Sequence, residues 1–223
     1  MKWLLALPLL AAMAPASAGE TISVCYNYGC LAQSKVYFVD AQLAQVQALL
    51  GSAQNAAEER EKLSLTIGWL LGWAGRQTPI AADRGGNAAD EGVYGRMDCI
   101  DHSTTTTRLL HLLEARGWLR FHRVLEPVSR VRYLFAVHYS AQIEEIAVID
   151  PAAGTLAAAK QANAGAARPR YVVDSWFRDN GQPAVVIGLQ NWFDGQDDQD
   201  DEGDRAQLTT VLNSRGEGPN IER

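Results

Sequence analysis

The sequence predicts an α+β fold. Three stretches with helical spacing of apolar residues occupy the first half, and several strand-like runs occupy the second. The two kinds do not alternate, which sets N-terminal helices against one antiparallel sheet rather than building βαβ units. No internal repeat interrupts this order.

Residues 1–18 read as a secretory signal peptide outside the fold. Met1-Lys2 is positive, Trp3 to Met13 is nearly all apolar, and Ala16-Ser17-Ala18 is a small-x-small cleavage pattern. The apolar core is too short to span a bilayer, and no later run is long enough for a membrane helix. The mature chain is therefore expected to be periplasmic or secreted. Roughly 205 residues remain, which fits one domain over 19–193.

Ile22 to Cys25 and Val36 to Val39 predict two short extended segments. Asp40 reads as a helix N-cap, because Leu43, Val46, Leu49 and Leu50 follow at helical spacing. A second helix spans Ala56 to Gly75, with Leu63, Ile67, Leu70 and Leu71 on its apolar face. Trp69 and Trp73 share one face there and read as core before they read as a ligand platform. Arg76 to Arg96, centred on Asp83-Arg84-Gly85-Gly86-Asn87, is a polar loop. It runs directly into Cys99, which favours an active-site wall over a linker. The third helix is clear from Ser103 and stops at Gly117 after Arg116. Thr104 to Thr107 are poor helix formers, so packing must override propensity there. Strands are predicted at Phe121–Leu125, Tyr133–Ala141, Ile143–Ile149, Tyr171–Asp174 and Ala184–Ile187. Pro151 to Pro169 reads as an exposed loop between two of them.

Asp194 to Arg223 forms an acidic tail with little to bury, which predicts disorder. The net charge of −6 comes from this run, and the remaining body is close to neutral, with no basic footprint for nucleic acid. Asp198, Asp200, Glu202 and Gly203 look like the start of a calcium loop. Thr209 stands where the closing glutamate is required, so no metal is expected there.

Of three cysteines, Cys25 and Cys30 lie close together. In an oxidising compartment the simplest partition is a Cys25–Cys30 disulfide with Cys99 free. A bridge from Cys99 to either of the others is the alternative. A redox-active Cys25/Cys30 pair is disfavoured by a spacing wider than the two-residue gap of such motifs.

Cys99 sits in Gly95-Arg96-Met97-Asp98-Cys99-Ile100-Asp101 at a helix start. Backbone N–H groups there favour thiolate and can receive an oxyanion, while Asp98 and Asp101 oppose the thiolate. His138 ends the apolar run Leu134-Phe135-Ala136-Val137, and Asp174 follows Tyr171-Val172-Val173. Neighbouring strands would set this imidazole beside this carboxylate. Thiol, base and orienting carboxylate make up the set that a thiolate nucleophile needs. His102 is a rival base, but a short separation along one helix rarely makes such a pair. Asn87 and Gln77 are candidate side-chain donors to an oxyanion.

Residues 95–176 resemble the transglutaminase-like and papain-like thiol enzymes. The carriers are Gly95 and Cys99 at the helix start, Leu113-Glu114-Ala115-Arg116-Gly117 at its end, Val137-His138-Tyr139, and Val173-Asp174-Ser175-Trp176. The same stretches are similar to a family of secreted proteobacterial proteins without an assigned activity. The resemblance implies a transglutaminase-like core with Cys99 as nucleophile, His138 as general base and acid, and Asp174 as orienter. It implies acyl transfer on an amide, whether hydrolysis or cross-linking, with no metal or organic cofactor. A peptide or cell-envelope amide is the substrate that the location suggests. The chain departs from the family in the wide His138–Asp174 spacing, in Ile100 after the cysteine, and in the acidic flanks Asp98 and Asp101. The rival reading is a catalytically silent binding or scaffold module, in which Tyr26, Tyr28, Trp176 and Trp192 form an exposed partner surface and the acidic tail meets a cationic partner.

Overall fold

A computed structural model describes residues 19–86, 92–132, 136–146 and 167–196. The signal segment, Asn87, most of the 151–169 loop and the acidic run with its calcium-like motif lie outside the described residues.

The described chain is α+β. Strands β1 (Glu20–Tyr26) and β2 (Ala32–Phe38) pair antiparallel from Glu20↔Phe38 to Tyr26↔Ala32. Helix α1 (Asp40–Gly51) buries Leu43, Val46 and Leu50. Its cap is Val39, whose N–H donates to the Gln42 side chain, so Asp40 opens the first turn rather than capping it. Helix α2 (Ala56–Gly75) is capped by Asn55, whose side chain accepts from Glu58 N–H at 2.9 Å. A 3-10 turn at Pro79–Ala82 leads towards α3 (Cys99–Ala115). Strands β3 (His122–Arg132), β4 (Ala136–Glu145), β5 (Arg170–Asp174) and β6 (Val185–Gly188) then form an antiparallel sheet in that order. A short helix, α4 (Leu189–Phe193), follows.

Strand β2 starts at Ala32, four residues before the expected Val36, and the larger sheet departs from the sequence expectation in two further respects. The gap after Leu125 is strand as well: the β3–β4 register shifts between Leu125 and Val128, and this irregularity absorbs Glu126 and Pro127 without ending β3. The segments expected on either side of Gln142 are one strand, because Ala141, Gln142 and Ile143 pair continuously with Val173, Val172 and Tyr171.

Helix α3 lies across the sheet and also against β1. Leu109, Leu110 and Leu113 of α3 join Ala141, Ile143 and Val173 in one fully buried core, at about 25 cal/mol for each Å² of apolar surface removed from water. The middle of the threonine run is held in α3 by two hydroxyl contacts, while Thr107 Oγ1 is buried without a partner among the described residues. Thr105 Oγ1 accepts from Cys25 N–H at 2.9 Å, and Thr106 Oγ1 bonds Ser175 Oγ at 2.9 Å. Trp69 and Trp73 are core, with ring centroids 6.2 Å apart, and Phe38 packs on Trp73. Gly68 of α2 is required by close approach: a Cβ there would lie 2.5 Å from the carbonyl oxygen of Gln182. That approach seats the segment between β5 and β6 on α2. No helix among the described residues is long and apolar enough to cross a membrane.

A candidate thiol site at the start of helix α3

Cys99 is the first residue of α3, so its N–H has no acceptor within the helix. The helix is opened by a reciprocal cap: Asp101 N–H donates to Asp98 Oδ1 at 2.8 Å, and Asp98 N–H donates to Asp101 Oδ2 at 3.1 Å. Gly95 makes the approach possible. Its φ is +91°, and a Cβ there would sit 2.2 Å from the carbonyl oxygen of Pro79. Cys99 is a free, half-buried thiol. Its Sγ lies 3.8 Å from the carbonyl oxygen of Val137, the residue before His138.

His138 and Asp174 meet because the register allows it. Ala141 pairs with Val173, so one step further sets Ser140 opposite Asp174, and His138 lies two residues beyond on the same face of β4. His138 Nε2 donates to Asp174 Oδ2 at 2.7 Å. Cys99 also favours the protonated imidazole, and with Nε2 engaged Nδ1 is the ring nitrogen left for it. Burial opposes a charge on His138. The hydrogen bonds and negative charge of Asp174 and Cys99 overcome it and raise the imidazole to about 9. Asp174 is buried and fully engaged: Trp192 Nε1 donates to Oδ2 at 3.1 Å and Trp176 N–H to Oδ1 at 3.2 Å. Trp176, Phe177 and Trp192 surround the imidazole, with ring centroids 5.0, 5.2 and 5.7 Å away.

His102, the rival base, is occupied elsewhere. It is buried, with Nε2 at 2.9 Å from Asp83 Oδ2 and Nδ1 at 2.9 Å from Ser175 Oγ. Asp83 Oδ1 in turn accepts from Met97 N–H at 2.9 Å. One donor order satisfies the whole chain: Thr106 to Ser175, Ser175 to His102, His102 to Asp83. The network thus ties the segment before Cys99 to the residue after Asp174. Serine, imidazole and carboxylate are in line here, but all three are closed to solvent and serve as a structural brace.

Gln77 does not fit the oxyanion role. Its Nε2 donates to the carbonyl oxygens of Tyr37 and Trp73, and its Oε1 accepts from Tyr37 N–H, so the amide is committed to β2 and α2. Two aromatics expected on an exposed partner surface, Tyr26 and Trp192, are buried instead. Trp192 is the site residue that the sequence did not reveal. Cys25 and Cys30 form a disulfide, which leaves Cys99 unbridged. Asp101 lies beside that disulfide. Its oxygens accept from the N–H groups of Tyr28 and Cys30, so the cluster is accounted for without a metal ion.

No protein family, curated protein or solved structure matches this chain.

Proposed function

We propose that the protein is an exported cysteine enzyme that cleaves or transfers amide bonds through Cys99, His138 and Asp174. Its α+β architecture would be that of the transglutaminase-like thiol enzymes. The observation that carries this reading is one imidazole bonded to a buried carboxylate 2.7 Å away, with a free thiol at a helix start near enough to favour its protonated form.

Each group has a task. Cys99 Sγ attacks the amide carbonyl carbon as the thiolate of an ion pair in which His138 Nδ1 already holds the thiol's proton. Asp174 holds the ring in place through Nε2 and stabilises the imidazolium. The carbonyl π pair moves onto oxygen, which the unpaired N–H of Cys99 can receive at the positive end of α3. The C–N bond then breaks, and the leaving nitrogen takes the proton from Nδ1. A thioester remains on Sγ. Water or an acceptor amine, deprotonated by His138, attacks that thioester and regenerates the thiol. A disulfide beside the site suits an oxidising, exported compartment. A peptide or cell-envelope amide is the substrate class that such a location favours.

Alkylation of Cys99 by iodoacetamide, followed by mass spectrometry of the folded protein, tests the reading without a known substrate. His138→Ala is expected to lower the rate at neutral pH about 100-fold, the low end of the usual worth of a catalytic base. Cys99→Ala is expected to abolish labelling and turnover while keeping the thermal transition. A wild-type rate no faster than that of the unfolded chain would leave a binding module as the better description.

A further inference from the structure

The acidic flanks of Cys99 have an unexpected counterpart. Asn27, Tyr28, Gly29 and Cys30 have φ values of 66°, 63°, 64° and 58°, so four consecutive residues form a left-handed turn. L residues rarely adopt this conformation singly, and a run of them needs external support. Two kinds of support are present. The Cys25–Cys30 disulfide closes the turn. Its N–H groups also point at the start of α3: Tyr28 donates to Asp101 Oδ2 at 2.8 Å, Cys30 to Asp101 Oδ1 at 2.6 Å, and Gly29 to Asp98 Oδ2 at 2.9 Å. The adjoining chain is tied as well, through Asn27 N–H to the Arg96 carbonyl at 2.7 Å and Gly95 N–H to Asn27 Oδ1 at 2.8 Å. Every one of these bonds ends within four residues of Cys99.

We propose that this disulfide-closed turn is a positioning clamp for the thiol: by gripping Asp98 and Asp101 it fixes the first turn of α3, and with it the direction in which Cys99 faces His138. The proposal rests on the Cys99–His138–Asp174 reading. Asp98 and Asp101 are both cap residues of α3 and clients of the turn, so the turn and the helix start share the same carboxylate groups. Without the turn, those carboxylates lose three donors and are free to fold back on the N–H groups at the helix start, including that of Cys99. Tyr28, Asp98 and Asp101 are positioning residues here, and their hydrogen bonds described above go to one another's segments rather than to the sulfur or the imidazole.

Two variants test this on the intact chain: Cys25→Ser with Cys30→Ser, which keeps every N–H donor but opens the turn, and Asp101→Asn, which keeps the shape but replaces one acceptor oxygen with a donor. The readout is the Cys99 alkylation rate at neutral pH, well below the melting temperature, beside His138→Ala. A purely structural disulfide would lower the melting temperature and leave this rate alone. The clamp predicts a drop of about 10-fold in each variant. Asp101→Asn is decisive in sign, because removing a negative charge near the thiol should speed alkylation on electrostatic grounds alone. If His138→Ala leaves the rate unchanged, the triad reading falls and the clamp with it. If His138→Ala slows the reaction and the clamp variants match wild type or exceed it, the clamp alone is overturned. Should the serine pair fail to fold, the rate in Asp101→Asn decides by itself: a drop supports the clamp, and an unchanged or faster rate overturns it.

Discussion

Asp174 accepts three hydrogen bonds, from His138, Trp192 and Trp176, where a strand-end carboxylate in a turn would need one or two. This saturation is what holds the imidazole. Trp192→Phe keeps an aromatic ring to pack on His138 but removes the indole donor. It is expected to cost about 2 kcal/mol in urea unfolding, the usual worth of a hydrogen bond to a buried charge, and to slow Cys99 alkylation several-fold. The raised value of His138 also makes a pH prediction. Its folded value of about 9 lies above the ordinary 6.5, so the protonated ring is favoured by folding. Its contribution to stability is complete below pH 6.5 and is lost as pH rises through about 9. The groups facing the ring are Asp174, Cys99 and its cross-strand neighbour Arg130. Unfolding midpoints measured from about pH 6 to 10 should therefore fall across that window in wild type and stay flatter in His138→Gln. Cys99, His138 and Asp174 were each legible in the sequence because each closes a distinct local pattern: a helix start, an apolar run and a strand end. Trp192 was not, because no periodicity reports that an indole 18 residues further on will reach back to Asp174.

At the scale of elements, the start of α3 is defined by the backbone before it. Gly95→Ala would add a Cβ 2.2 Å from the Pro79 carbonyl at a φ of +91°. The conformation alone costs about 1–3 kcal/mol, so a lower melting temperature with slower Cys99 labelling is expected. The Asp83–His102–Ser175 brace makes a different prediction. His102→Leu strands a buried carboxylate and should cost about 3–5 kcal/mol, whereas Ser175→Ala should cost nearer to about 1 kcal/mol. Denaturation of the two variants side by side measures the difference. Neither the brace nor the left-handed turn could be read from the chain. The brace joins residues 73 positions apart. In the turn, Asn27, Tyr28 and Cys30 occupy a region that sequence reasoning reserves for glycine, and only Gly29 hints at it. The helices were legible because their apolar spacing is regular, and β3 was cut short because Pro127 reads as a strand end unless an irregularity in the register absorbs it.

At the scale of the molecule, helices and sheet are joined by buried polar contacts as well as by the apolar core. Glu59 of α2 is fully buried and accepts from the N–H groups of Arg120 and Phe121 and from His122 Nδ1 at 2.8 Å. His122 Nε2 is met by Arg60 Nη1 at 3.2 Å, and Arg60 lies over the Tyr171 ring of β5. Hydrogen exchange should report Glu59→Ala as loosened protection in both α2 and β3, and global stability should fall by about 3–5 kcal/mol. The candidate site is built on the same long-range plan. Cys99 meets the backbone 38 residues downstream at Val137, and His138 meets Asp174 after 36 more. The imidazole comes near the thiol when α3 packs on β4, and the carboxylate joins them when β4 pairs with β5. On the proposed reading, fast reactivity requires both of these long-range contacts. The onset of fast Cys99 labelling during refolding would then serve as a clock for the closing of the sheet around the thiol.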